Sequence, residues 1–163
     1  IAGAGLTSVE GMEYAIDRIA IGTDRRTRSI EDIDVVCWAF LSIADERADA
    51  LDAVTPLTTR IVKAVPLPTL EAIGIERDEA NRVKGIDDVD ELTPHELREA
   101  VPRSVVEQFA IAGTPDRCRA HVSALLDAGV SHICVLPFEN PQQGVLGNLD
   151  MFSSEVIEVV NDD

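Results

Sequence analysis

Ala110 to Phe138, AIAGTPDRCRAHVSALLDAGVSHICVLPF, decides the fold. Ala-Gly-Thr-Pro ends an apolar approach. Thr114 is a favourable N-cap, and Pro115 suits the first helical position, where a missing N–H costs nothing. Apolar residues then recur at Cys118, Val122, Leu125, Leu126 and Gly129, one stripe of an amphipathic helix. Gly129 is placed to take the left-handed conformation that stops a helix. Two residues later His132 to Phe138 runs apolar without a break, which predicts a strand buried on both faces, as in parallel sheets. Helix, glycine stop, short turn and buried strand make the closing half of a β/α repeat.

Working outward, Asp34 to Ala44 (DVVCWAFLSIA) predicts a second doubly covered strand. Asp45 then caps a helix to about Val65, with Ala48, Leu51, Val54, Leu57, Ile61 and Val65 facing inward. Pro56 falls inside that helix and is expected to kink or split it, because it removes a hydrogen bond and crowds the preceding turn. Upstream, Ile1 to Leu6 reads as the end of a strand. Thr7 and Glu10 have capping-box spacing, and Val9, Met12, Ile16 and Ile19 line one face of a helix ending near Gly22. Thr23 to Ser29 (TDRRTRS) reads as a solvated turn, with its three arginines as a weaker anion site. Residues 66–102 are rich in proline, glycine and acid. They predict short helices at 68–73, 76–84 and 94–100, too long a passage for an ordinary βα connection. After Phe138, Glu139 to Gly147 is a loop, and Asn148 or Asp150 caps a last helix from Met151 to Val160.

Thirty acidic residues stand against 14 basic ones, a formal charge of −16. Nucleic-acid binding, which needs a basic footprint, is thereby disfavoured, as is docking on anionic membranes. An acidic bacterial enzyme and a halophilic protein both fit this surface. Cys37, Cys118 and Cys134 lie in apolar runs without metal or disulfide spacing and read as small buried hydrophobes of a cytoplasmic protein. No metal site is expected. With 163 residues, two full strands and part of a third cannot close a sheet. The order fits about the last three units of a (β/α)₈ barrel, which needs about 250 residues. A small doubly wound sheet would want more strands. Ile1-Ala-Gly-Ala-Gly5 lacks an initiator methionine and starts at a strand end, as the C-terminal part of a longer chain would.

The stretch PRSVVEQFAIAGTPDRCRAHVSALLDAGVSHICVLPF (102–138) resembles the C-terminal part of the bacterial luciferase-like family. The best-matching branch is that of the F-420-dependent oxidoreductases, which includes methylenetetrahydromethanopterin reductase. SIEDIDVVCWAFLSIADERADAL (29–51) is similar to the family's seventh strand and following helix, and Ser8 to Ile19 to the helix after its sixth. The resemblance is weakest over 66–100. It implies an α/β fold, the C-terminal part of a TIM (β/α)₈ barrel over 1–163, with a helical insertion at about 66–102. It also implies hydride transfer between reduced coenzyme F-420 and an organic substrate. An FMN-dependent monooxygenase is the alternative. A non-catalytic half-barrel, held together as a homo-oligomer because it exposes strand edges and apolar faces, is a further one.

In such a barrel the active site lies at the carboxyl ends of the strands. Gly3, Ala4 and Gly5 would let a cofactor ring or phosphate approach the backbone, or would simply make a tight turn. Trp38 and Phe138 would stack near the cofactor or pack a core. The N-terminus at Thr114 would attract a phosphate or simply be capped. Arg103, Gln108 and Glu139 are candidates for substrate contact. Gln108 stands where sugar-phosphate-using relatives carry a basic residue, which argues against that substrate. Of the histidines, His95 lies in the insertion, His121 reads as a boundary residue, and His132 opens the last strand at the end away from the site. No acid–base pair is visible, and hydride transfer demands orientation more than one.

Overall fold

The computed structural model describes residues 1–24 and 29–162. The three arginines of the turn after Thr23 lie outside them. Four parallel strands form one sheet: β1 (Ala2–Ala4), β2 (Val35–Ile43), β3 (Ala110–Gly113) and β4 (His132–Pro137). β2 is central. One of its edges pairs β1 at its start, Ala2 opposite Val35, and β3 at its end, Phe40 opposite Ala110. The other edge pairs β4 from Val36–His132 to Leu41–Pro137. β3 was not anticipated: four residues after a short helix leave too little alternation to read as a strand.

Helix α1 (Val9–Asp24) follows β1. Its cap is Ser8, whose Oγ accepts from the Gly11 N–H at 3.0 Å. Thr7, the expected cap, instead donates its backbone N–H to the Gln108 carbonyl at 2.9 Å. A single 3₁₀ turn, Ile30–Asp32, leads into β2. Helix α2 (Arg47–Ala64) begins one residue later than expected, with Glu46 rather than Asp45 at the N-cap, and runs through Pro56 unbroken. The lost hydrogen bond is outweighed by packing, since Ala50, Leu51 and Val54 before the proline and Thr58, Thr59 and Val62 after it are all buried.

The insertion forms α3 (Leu67–Ala72), α4 (Arg77–Lys84) and α5 (Pro94–Ala100), close to the predicted bounds, and adds α6 (Arg103–Glu107). These helices bury Leu70, Ile73, Val83, Leu97 and Val105 against α2, in one cluster with Phe109, Ala110 and Ala112. The passage is therefore a packed layer over one face of the sheet at its carboxyl end. Helix α7 (Pro115–Asp127) starts after Thr114, whose hydroxyl makes no cap bond, and stops at Gly129 with φ 95°. Its Cys118, Val122 and Leu125 pack on the other face with Met12, Cys37, Leu41 and Ile111, while Leu126 is left exposed.

The last helix begins earlier than predicted. α8 (Val145–Met151) opens after Gly144 and passes through a π-helical stretch, Phe152–Ile157, into α9 (Glu158–Asp162). Double burial fails for β4, which is an edge strand with Leu136 49% exposed, and for the first half of β2, where Trp38 is 58% exposed. The end of β2 and the short β3 are covered on both sides.

Candidate active site

All four strands run the same way, so their carboxyl ends, and the N-termini of the helices that follow, gather at one end of the sheet. This rim is tied together by amide side chains from the loop after β4. The buried Asn148 accepts from the Ile43 N–H through Oδ1 at 2.6 Å and donates through Nδ2 to the Phe138 carbonyl at 2.9 Å. Asn140 Nδ2 donates to Ser42 Oγ at 3.1 Å and to the Ile43 carbonyl at 2.9 Å. Gln143 Nε2 donates to the same carbonyl at 2.7 Å, and Gln142 Oε1 accepts from the Asp45 N–H at 2.8 Å. These bonds hold the exits of β2 and β4 side by side and carry no charge, so neither salt nor moderate pH loosens them. Asn148 was expected at a helix cap. It stands in the helix interior, and only its burial reveals the different use.

Phe138 meets Phe40 edge-on, with ring centroids 5.6 Å apart. Trp38 lies lower on the same face, across β1. A methyl group added at Gly3 would come within 3.1 Å of the indole Nε1, so the glycine makes room for the tryptophan. Gly5 has nothing within 4 Å of the corresponding position, and Ala4 closes β1 between the two glycines. Arg103 and Glu139 are exposed on separate elements and share no pocket with Gln108. His132 sits exposed at the start of β4 and His95 on the outer surface of α5, 3.9 Å from Glu99.

Gln108 lines a cleft of about 500 Å³ between the N-terminal turns of α1 and α7. His121, across the cleft, bonds through Nε2 to the Thr7 carbonyl, which makes that nitrogen the protonated one. On the rim, Glu107 pairs with Arg47 and lies 3.8 Å from Arg117. Burial pushes the Cys37 and Cys118 thiols up to about 12, which leaves them protonated and inert. Among the described residues no cluster of His, Cys, Asp or Glu suits a metal, and no helix is long and apolar enough to cross a membrane.

Parallel strands joined through helices make this a mixed α/β fold. The profile of the luciferase-like monooxygenases matches residues 2–132, and the chain belongs to that family. It is 32% identical over 124 residues to 5,10-methylenetetrahydromethanopterin reductase of Methanolobus tindarius, covering 74% of this chain and 37% of that protein. The reductase of the same name from Methanopyrus kandleri is 32% identical, over 76% of this chain and 35% of its own length. The solved structure of coenzyme F-420-dependent tetrahydromethanopterin reductase from Methanopyrus kandleri superposes with a TM-score of 0.77 and 25% identity, covering 97% of this chain and 44% of the other. The chain thus spans just over a third of the length of the curated relatives it matches.

Proposed function

We propose that this chain is the C-terminal portion of a luciferase-like (β/α)₈ barrel. The complete enzyme transfers a hydride between reduced coenzyme F-420 and an organic substrate, with methylenetetrahydromethanopterin the leading candidate. The observation that carries this reading is the superposition of nearly the whole chain on an F-420-dependent reductase, together with a sheet face left open beside Gly5 and Trp38. FMN, the alternative cofactor, has no support among these relatives.

The residues present fit the cofactor. Gly5 leaves backbone accessible, and Trp38 offers a flat apolar surface on a face that no element among the described residues covers. Phe40 and Phe138 form an apolar wall nearer the rim, and Asn148 fixes the strand exits that carry them. F-420, when bound, supplies the hydride or takes it up; the chain's own part is to orient and to exclude water. Arg103, Gln108 and Glu139 remain candidates for substrate contact.

The test is titration of the native polypeptide with F-420, followed by bleaching of its visible absorbance on reduction. Saturable binding and turnover of methylenetetrahydromethanopterin are expected; a native protein that binds no F-420 sinks the reading. The half-barrel alternative uses the same open face to pair with a second copy. Intact mass separates the two. A native mass well above 17.6 kDa supports the barrel, whereas 17.6 kDa with an oligomer on sizing supports the paired half-barrel.

A further inference from the structure

The last helical segment keeps its inward residues at a spacing that an α-helix does not favour. Asn148, Phe152, Val156 and Val160 follow one another by four; the first three are buried and Val160 packs on the core shared with α7. In a straight α-helix each step of four drifts about 40° round the axis, so three steps would carry the last residue about 120° from the first. The π-helical stretch Phe152–Ile157 absorbs that drift in one wider turn. The Glu158 N–H donates to the Ser153 carbonyl, five residues back, whereas the Phe152 N–H donates to Asn148, four back. Side chains take carbonyls around the wide turn. Arg119 Nη1, on α7, donates to the Glu155 carbonyl at 2.5 Å, and Ser154 Oγ to that of Asp150 at 3.0 Å.

A π turn amounts to one residue more than an α-helix over the same span. Closed into α-helix, the segment would set Leu149, and not Asn148, above Val156. Seven residues come within about 20° of two full turns, and eight overshoot them by about 80°. Helix α8 is poorly fixed by its own sequence. It is seven residues long and includes Val145, Gly147 and Asn148, all weak helix formers. Its Val145, Leu146 and Leu149 are exposed. What sets its register is the pair of bonds from Asn148 to the Ile43 N–H and the Phe138 carbonyl. Gly144, with nothing within 4 Å of the place a side chain would take, gives the preceding loop room for a residue passed back.

We propose that α8 is a two-register latch on the carboxyl rim of the sheet. In the register seen here, the wide turn is present and Asn148 ties the exits of β2 and β4. In the other, the wide turn closes, α8 turns by about 100°, and Leu149 enters the place of Asn148. The strand exits are then released, with the Phe40–Phe138 wall that they carry. Burial of Leu149 and the return of α-helical bonding offset the lost amide bonds, which keeps the second register within reach. Ligands of parallel sheets bind outside the carboxyl strand ends, so the latch gates entry there. It needs no cofactor and stands apart from the proposed function, and each can fail alone.

The test exchanges the two residues in the native polypeptide. Asn148→Leu removes the rim bonds and should lower the urea midpoint. The double variant Asn148→Leu, Leu149→Asn returns an amide to the rim only in the second register, and should regain more than half of that loss. A helix held in one register regains nothing, because residue 149 is exposed there. In the unaltered polypeptide, the Ile43 and Glu158 amides both change partner between registers. Relaxation dispersion at both, with one shared rate, is expected from a second register populated at about 1%. Deletion of Ser153 closes the wide turn while Asn148 stays in place, and should abolish the dispersion. Thermal melting checks each variant for folding; where one fails to fold, dispersion in the unaltered polypeptide decides. A double variant no more stable than Asn148→Leu, or flat dispersion at both amides, overturns the latch.

Discussion

Leu41 and Trp38 lie three residues apart on β2, one fully buried and the other 58% exposed. They belong to opposite faces of one sheet. The first face carries Val35, Cys37, Ala39, Leu41 and Ile43 and is sealed by α1, α7 and the last helices. The second carries Val36, Trp38, Cys134 and Leu136, no less apolar, and is covered only near the rim, where α2 and the insertion close over Phe40, Ala110 and Ala112. Side-chain composition is therefore matched to two covers, and the described residues supply one and a half. Large contiguous apolar patches on soluble proteins mark interaction surfaces, and here the patch continues to the outer edges of β1 and β4, which pair with no strand among the described residues. The difference between the faces is the physical content of the proposal that further strands complete a barrel.

Substitution on each face breaks the comparison most directly. Leu41→Ala removes a fully buried side chain and should cost about 2–5 kcal/mol in urea unfolding, whatever the length of the polypeptide. Trp38→Ala should cost less than about 0.5 kcal/mol if the open face stays open. In a native polypeptide whose remaining strands cover it, the same change should cost about 3–5 kcal/mol. Equal, small costs for Trp38→Ala in both settings would show that nothing covers this face.

The rim gives the next largest effect. Asn148 is a buried side chain that serves both strand exits, accepting from Ile43 and donating to Phe138. Asn148→Leu leaves a buried N–H and a buried C=O unpaired, at about 1–3 kcal/mol for each group. Unfolding midpoints should fall accordingly, with little change in the denaturant slope. Loss confined to about 0.5 kcal/mol would mean that Asn140 and Gln143 hold the rim without it.

Much of this arrangement was legible in the residues. The α7 stripe, its stop at Gly129, the two long strands and the three insertion helices follow from local periodicity and turn chemistry, which act within a few residues. What periodicity could not reveal was decided at longer range. An unbroken apolar run on β4 says that both faces are apolar, but not whether this chain covers both. Pro56 would break an isolated helix, and α2 survives because both its halves are anchored in the same core. β3 was hidden because its four residues follow a helix with only a two-residue link. Asn148 looked like a cap because short amides favour caps, and nothing local shows that its partners lie about 100 residues away in Ile43 and close by in Phe138. Of the candidate site, Gly3 and Trp38 were picked out separately, and only the structure shows that one makes room for the other.

The cysteines sharpen the same contrast at the smallest scale. Cys37 and Cys118 lie on the sealed face, and burial raises both thiols to about 12; Cys134 lies on the open face beside Trp38 and is partly exposed. A thiol-specific reagent at pH 8 should therefore modify Cys134 first, and the other two at rates set by unfolding. Completion of a barrel over the open face would slow Cys134 as well, so comparing its rate in the 163-residue chain and in the native polypeptide reads the cover directly. The buried pair also sets an alkaline limit. A thiol whose folded pKa is raised holds its proton longer in the folded state than in the unfolded one, where it ionises near about 8.5. Folding is at full strength below that value and weakens as pH rises from there toward about 12. The double variant Cys37→Ala, Cys118→Ala should lose stability overall, through lost packing, yet flatten the alkaline slope of its urea midpoint. An unchanged slope would mean that other groups govern the alkaline transition.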